Sequence, residues 1–106
     1  MSDRGDVDDR TARSPGEEGP WKVAVTGRFE RDVARLPPRV AAAVVEFVTA
    51  TLPQNPLRMS KPLTGDLAGY RSARRGDYRV ILRLDERAHT VVVHRLAHRA
   101  HVYRPR

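Results

Sequence analysis

Apolar and polar residues alternate along several short segments of the chain, which is the pattern of half-buried β-strands. The first such segment is Trp21–Thr26. Two more runs flank Gly76-Asp77, a dipeptide that predicts a hairpin with a type II′ turn. A valine-rich run predicts a last strand over about residues 89–96. The pattern therefore predicts four strands, three of which follow one another in the second half of the chain.

Apolar residues recur at helical spacing between the first strand and the hairpin. One stripe runs from Phe29 to Leu36 and a second runs from Val40 to about Leu52, with two prolines between them. The proline-containing segment 53–67 is predicted to be a loop. The resulting order, β-α-α-β-β-β, predicts an α+β fold with a helical hairpin on one face of a small, mostly antiparallel sheet.

The hairpin register predicts where its arginines lie. A two-residue turn at Gly76-Asp77 places Arg74 opposite Arg79, and alternation puts Arg83 on the same face. Ala73, Tyr78, Val80 and Leu82 then share the other face, which is expected to be core. Because arginines opposite one another repel, such an array is expected to bind something negative. Since the helices cover the other face, we expect the arginine face to be uncovered.

Charge is unevenly distributed over the 106 residues, whose formal net charge is +7. Residues 1–20 carry six acidic residues and three arginines, for a net −3, and are rich in glycine and proline. They are predicted to form a disordered tail. Residues 21–106 carry 17 basic and 7 acidic residues, a net +10, and are predicted to form one domain. So basic a domain is expected to bind a phosphate backbone or an acidic protein.

Composition also excludes several classes of chemistry. The absence of cysteine rules out disulfides and thiol catalysis. The chain has no apolar run of roughly 18 residues and no secretory signal pattern, which predicts a cytoplasmic protein. Of the four histidines, His98 and His101 have the spacing of a possible ligand pair, but no acidic or thiol residue lies near them in sequence, so we expect no metal site and no cofactor. The remaining arginines, tyrosines and histidines are suited to RNA.

Two long motifs resemble a known family. The run KPLTGDLAGYRSARRGDYRVILRLD at 61–85 and the run VVVHRLAHRAHVYR at 91–104 resemble the RelE/ParE superfamily of type II toxins, and specifically its RelE branch. The resemblance implies a RelE-like fold over residues 21–106. It also implies a metal-independent endoribonuclease that cleaves mRNA in the ribosomal A site and is silenced by a cognate acidic antitoxin of the RelB/Phd kind.

The resemblance also assigns roles to individual residues. Arg79 of Gly-Asp-Tyr-Arg would clamp the scissile phosphate, and Arg99 and Tyr103 of the closing motif would stabilise charge and position or transfer a proton. Arg74 is expected to stabilise charge, and His98 could transfer a proton. The residues expected to bind RNA around this site are Arg71, Arg75, Arg83 and Lys61.

The identity of the general base stays open at this point. Arginine keeps its proton up to a pH of about 12, so Arg74 is a poor base, and His98 or ribosomal RNA could accept the proton instead. Two other functions compete with the nuclease. One is a ParE-like inhibitor of DNA gyrase without catalysis of its own, and the other is an RNA-binding module without activity.

Overall fold

The structure is a computed structural model that describes residues 19–98. The predicted acidic tail up to residue 18 lies outside the described residues, as do Arg99 and Tyr103. Within residues 19–98, no helix combines the length and the hydropathy needed to cross a membrane.

Five strands form one sheet in the described part of the chain. They are β1 (Lys22–Val25), β2 (Ser60–Pro62), β3 (Arg71–Arg75), β4 (Tyr78–Asp85) and β5 (Thr90–His98). Their spatial order is β1-β5-β4-β3-β2. Strand β1 is parallel to β5, and the other three pairings are antiparallel. The predicted α+β fold with a mostly antiparallel sheet is confirmed.

The helices precede most of the sheet. They are α1 (Gly27–Ala34), α2 (Pro38–Glu46) and the short α3 (Pro56–Met59). Helix α2 continues into a wider π-helical turn over Phe47–Thr51 and ends in a 3-10 turn at Leu52–Gln54. The two predicted apolar stripes therefore both fold as helix.

Local chemistry explains where the two longer helices begin. The Thr26 hydroxyl accepts a hydrogen bond from the backbone N–H of Phe29 at 3.1 Å, which caps the start of α1. Pro38 occupies the first turn of α2, where its missing N–H costs no hydrogen bond. Pro37 ahead of it ends the preceding segment, so the Pro-Pro pair both separates the helices and starts the second one.

One apolar core joins the helices to a single face of the sheet. The helical contribution is Phe29, Val44, Phe47, Val48 and Leu52. The sheet contribution is Ala73, Val80, Leu82, Val91, Val93 and Leu96. The alternation in β4 that predicted this inward face is confirmed.

The segment 53–67 is not the plain loop that the sequence predicted. It contains α3, whose first turn holds Pro56 and is capped by Asn55, and then β2, which pairs with β3. A strand of three residues is too short to show alternation, and it forms here because the edge of β3 is available to it. The sheet therefore has five strands, one more than predicted.

The hairpin formed by β3 and β4 has the predicted register. Arg74 pairs with Arg79, and Gly76 and Asp77 are the two turn residues. Gly76 has a φ of +62° and Asp77 does not have a positive φ, as a type II′ turn requires. This confirms that the arginines of β3 and β4 are brought together across the hairpin.

The second face of the sheet is only partly open, whereas the sequence predicted an uncovered face. Ile81 is 2% exposed and Arg79 is 7% exposed, although both lie on this face. The segment between β2 and β3 returns over the sheet, with the N–H of Leu63 donating to the carbonyl of Tyr70 at 2.9 Å. The Tyr70 ring then packs edge-on against His94 of β5. Two recesses remain, one on each side of Ile81.

Candidate nucleic-acid interface

A basic cleft of about 330 Å³ lies on the sheet face opposite the helices. Its polar lining is Lys61, Ser72, Arg74 and Arg79, and its apolar lining is Met59, Pro62 and Leu63. We refer to these seven residues as the basic cleft. It combines residues from β2, β3 and β4 with the residues at the two ends of β2.

Strand register explains how the polar residues of the basic cleft meet. Lys61 pairs directly with Ser72, and Arg74 pairs directly with Arg79. Directly opposite residues point to the same face, and residues two apart in a strand do so as well. Ser72 and Arg74 therefore share a face, and the two pairs form adjacent rows of one surface. Of the sequence-predicted residues, the structure brings together Lys61, Arg74 and Arg79.

The electrostatics of the basic cleft favour an anionic ligand. Among residues 19–98, three cationic side chains and no carboxylate line it. Arg74 lies directly across from Arg79, and like charges in this position oppose one another. A phosphate could accept two parallel hydrogen bonds from one guanidinium while reducing the repulsion between the two. The cleft can therefore position a phosphodiester and stabilise added negative charge on it.

Arg79 is buried, which corrects the expectation that the arginine face is uncovered. Its side chain forms the floor of the basic cleft, while Arg74 and Lys61 at the rim are exposed. Leu63, at the start of the segment between β2 and β3, lines the cleft together with Arg79. Replacing Arg79 with alanine would thus affect packing as well as charge, and a conservative replacement is the better test of its function.

Arg71 has a structural role in addition to the predicted one. Its Nε donates to Ser60 Oγ at 2.6 Å, and its Nη2 donates to the carbonyls of Ser60 and Leu57 at 3.0 and 3.2 Å. The Ser60 hydroxyl in turn donates to the carbonyl of Pro56 at 2.6 Å. This network ties α3 and β2 to β3, and so holds the β2 side of the basic cleft. Contact between Arg71 and RNA stays a prediction.

We expect Arg71→Met to lower the free energy of unfolding by about 1–3 kcal/mol, because hydrogen bonds from a charged donor contribute about that much. Methionine keeps most of the side-chain stem and removes only the guanidinium. The matched control is Arg75→Met, which changes an exposed arginine on the same face of β3 and should alter stability by at most about 0.5 kcal/mol. Urea unfolding followed by circular dichroism measures both. Equal stability of the two variants would contradict the structural role.

The other predicted residues divide between the two faces. Arg83 is exposed on the face of the basic cleft, beyond Ile81. Tyr78 pairs with Arg75 of β3 on one side and with His98 of β5 on the other, so all three residues lie on the helix face of the sheet. The rings of Tyr78 and His98 pack edge-on, with centroids 5.3 Å apart. The structure thus places His98 away from Arg74 and Arg79. The positions of Arg99 and Tyr103 lie outside the described residues, and the catalytic roles of all five arginine, histidine and tyrosine candidates stay predictions.

The sequence prediction missed Ser72. Its Oγ is buried and has no hydrogen-bond partner among residues 19–98, and it lies between Lys61 and Arg74 in the basic cleft. The hairpin register could have identified it, because Ser72 lies two residues before Arg74 in the same strand. The position of Lys61 opposite Ser72 could not have been identified in this way, because β2 was not predicted.

Comparisons with known proteins identify the family of this chain. Residues 23–103 match the family described as the ParE toxin of the type II toxin–antitoxin system parDE. The chain is 51% identical over 85 residues to toxin RelG of Mycobacterium tuberculosis (strain ATCC 25618 / H37Rv), covering 80% of this chain and 98% of that protein. It is 48% identical over 88 residues to toxin RelE of the same strain, covering 83% and 91%.

Solved structures show the same relationship. The crystal structure of the toxin–antitoxin complex RelBE2 from M. tuberculosis contains a chain that is 49% identical, with a TM-score of 0.74 over 79% of this chain and 97% of that one. An archaeal RelE–RelB complex from Pyrococcus horikoshii OT3 matches with a TM-score of 0.54 at 22% identity, over 76% and 96%, which supports the fold alone. The family match and these relatives show that this chain belongs to the RelE/ParE family of type II toxin–antitoxin toxins, on its RelE side.

Proposed function

We propose that this toxin is a ribosome-dependent endoribonuclease that cleaves mRNA in the ribosomal A site and so stops translation. The observation that carries the proposal is the buried Arg79 with Arg74 directly opposite it and Lys61 in the adjacent row. No carboxylate of the described part of the chain lines this cleft. That arrangement is suited to holding one phosphodiester and to stabilising charge that develops on it.

The proposed reaction uses the RNA's own nucleophile. The ribose 2′-hydroxyl loses its proton to a base and attacks the adjacent phosphorus, while the bond from phosphorus to the 5′-oxygen breaks. That oxygen leaves with a proton from an acid. The products are an RNA ending in a 2′,3′-cyclic phosphate and an RNA beginning with a 5′-hydroxyl.

Each step has a candidate residue. Arg79 clamps the scissile phosphate and Arg74 stabilises charge on it, as their shared position on the cleft supports. Lys61 is our candidate base, because it pairs with Ser72, lines the cleft and carries an amine, which can accept a proton more readily than a guanidinium can. The resemblance supports Arg99 and Tyr103 for transition-state stabilisation and protonation of the leaving group.

The partner that controls the toxin is proposed to be an acidic antitoxin of the RelB type in the cytoplasm. The net charge of +10 over residues 21–106 supports an acidic partner. An apolar groove between β1, α1 and α2 offers it a second contact, with Val25 and Val45 about 40% exposed along its edge. The chain in the RelBE2 complex, which is 49% identical, is solved with such a partner.

The test is to mix the purified toxin with ribosomes stalled on a defined mRNA and to map the cleavage products. We expect cuts within the A-site codon and ends that carry a 2′,3′-cyclic phosphate. A parallel assay of DNA gyrase supercoiling tests the rival function. Intact mRNA together with inhibited supercoiling would replace the nuclease with a gyrase inhibitor.

A further inference from the structure

A β-bulge shapes the second recess on the face that carries the basic cleft. Arg95 and Val93 pair with consecutive residues of β4, so His94 between them is the extra residue of β5. A bulge changes the direction of a side chain relative to the regular alternation of a strand. His94 is consequently directed to the sheet face on which Ile81 lies.

Side chains of α1 and its cap hold this bulge in place. Thr26 Oγ1 donates to the carbonyl of His94 at 2.6 Å, and Asp32 Oδ2 accepts from the N–H of Leu96 at 2.9 Å. Both backbone groups therefore find partners outside the sheet ladder. Because two separate side chains form hydrogen bonds with the backbone of the bulge, they stabilise the bulge and fix the position of His94.

A cavity of about 300 Å³ lies beside His94 on this face, and Thr26 and Arg28 at the start of α1 line one side of it. Tyr70 and Ile81 contribute ring and methyl surface, and Arg28 and Arg95 contribute guanidinium groups. This volume is at the lower end of the range for small-molecule sites. We call it the His94 cavity.

The imidazole in this cavity is held in place and has an unused polar atom. The rings of Tyr70 and His94 pack edge-on, with centroids 4.9 Å apart and an interplanar angle of 88°. His94 Nε2 is buried and has no hydrogen-bond partner in the described part of the chain. Burial, and secondarily the charge of Arg83, lowers the pKa of His94 below its usual 6.5. The imidazole is thus neutral at pH 7, when one ring nitrogen donates and the other accepts.

We propose that the His94 cavity binds a nucleobase of single-stranded RNA, with His94 Nε2 hydrogen-bonded to the edge of the base and Arg28 and Arg95 contacting the attached phosphate. Tyr70 and Ile81 provide the apolar surface that an unstacked base requires. A phosphate without a base would gain no binding energy from this apolar surface and would have no charge interaction with a neutral imidazole.

The position of the cavity connects it to the basic cleft. Ser72 of the cleft pairs with Ile81, and Ile81 pairs with Arg95 of the cavity, so the three lie in one row across adjacent strands. With strands about 4.8 Å apart, Ser72 and Arg95 are about 10 Å apart. The assignment of the bound base to mRNA, close to the nucleotide whose phosphate lies in the cleft, rests on the proposed nuclease function.

The sequence supplies two probes that separate the sites. Ile81 is the only isoleucine, and Met59, one of two methionines, lines the basic cleft. In the full chain labelled with ¹³C at the methyl groups of isoleucine and methionine, we expect each of the four nucleoside 5′-monophosphates to shift the Ile81 signal. Ribose 5-phosphate, which lacks a base, should leave the Ile81 signal in place.

Variants test the imidazole itself. His94→Leu should weaken nucleotide binding at Ile81 about tenfold, which corresponds to the loss of one hydrogen bond of about 1.4 kcal/mol. Tyr70→Leu, as a second variant with a retained imidazole, should also weaken it. The control Arg35→Gln, an exposed residue at the end of α1, should bind as the wild type does. A dispersed methyl spectrum identifies the variants that fold.

The outcomes separate this inference from the proposed function. The inference is overturned if nucleotides shift Met59 alone, if ribose 5-phosphate shifts Ile81 equally, or if folded His94→Leu binds as the wild type does. If the toxin cleaves mRNA but nucleotides do not shift the Ile81 methyl signal, only the base site is overturned. An Ile81 response that depends on His94, in a protein that leaves ribosome-bound mRNA intact, would support the base site and overturn the nuclease.

Discussion

Arg79→Lys is expected to slow single-turnover cleavage of ribosome-bound mRNA by about 100- to 1,000-fold, the usual effect of removing one donor that stabilises transition-state charge. Lysine keeps the positive charge at the floor of the basic cleft but cannot donate two parallel hydrogen bonds to a phosphate. The long aliphatic stem is also retained, so the buried site stays largely filled. The measurement is the rate constant with toxin in excess over stalled ribosomes.

The control for Arg79→Lys is Arg83→Lys, which makes the same change in the same strand. Arg83 lies on the same face but is exposed and is separated from the basic cleft by Ile81. Its replacement should leave the cleavage rate close to that of the wild type. Thermal unfolding of both variants distinguishes lost chemistry from lost structure. A folded Arg79→Lys protein that cleaves at the wild-type rate would show that this guanidinium does not clamp the phosphate.

The hairpin was predictable because its determinants are local. A two-residue turn with glycine at its first position fixes the register of both strands, and the register alone places Arg74 opposite Arg79. The helical hairpin was predictable for a similar reason, since the apolar stripes and the Pro-Pro break act within one segment each. The sequence therefore predicts correctly that two of the three cationic residues of the basic cleft, Arg74 and Arg79, lie opposite each other.

The rest of the site depends on contacts between distant segments. The three residues of β2 form a strand only beside β3, so the pairing of Lys61 with Ser72 has no local signal. The burial of Arg79 has no local signal either, because the alternation in β4 indicates only that its side chain lies on the face opposite the helices. The bulge at His94 is stabilised by side chains 64 to 68 residues away in sequence. The formation of β2 and the burial of Arg79 leave the alternation of apolar and polar residues unchanged. The bulge changes it only in that Val93 and Leu96, which both face the helices, are three residues apart instead of two.

Tyr103→Phe is expected to slow single-turnover cleavage by about 10- to 1,000-fold, the range for one group that positions or transfers a proton. Tyr103 lies outside the described residues, so this expectation rests on the resemblance of the closing motif to the RelE family. Phenylalanine retains the ring and removes only the hydroxyl, and binding to ribosomes and to the antitoxin should therefore hardly change. The readouts are the cleavage rate constant and the affinity for ribosomes, measured on the same preparation.

Tyr78→Phe is the matched control, since it removes a hydroxyl from the helix face of the sheet. Tyr78 packs against the apolar core and against His98, away from Arg74 and Arg79, so its variant should cleave at nearly the wild-type rate. A gyrase inhibitor would need neither phenol for chemistry, and Tyr103→Phe would then keep full toxicity and still inhibit supercoiling. An unchanged cleavage rate in Tyr103→Phe would instead remove Tyr103 from the catalytic site. In that case Lys61 or ribosomal RNA would have to supply the proton to the leaving group, because an arginine keeps its proton up to a pH of about 12. Arg99 would be the remaining catalytic candidate of the closing motif.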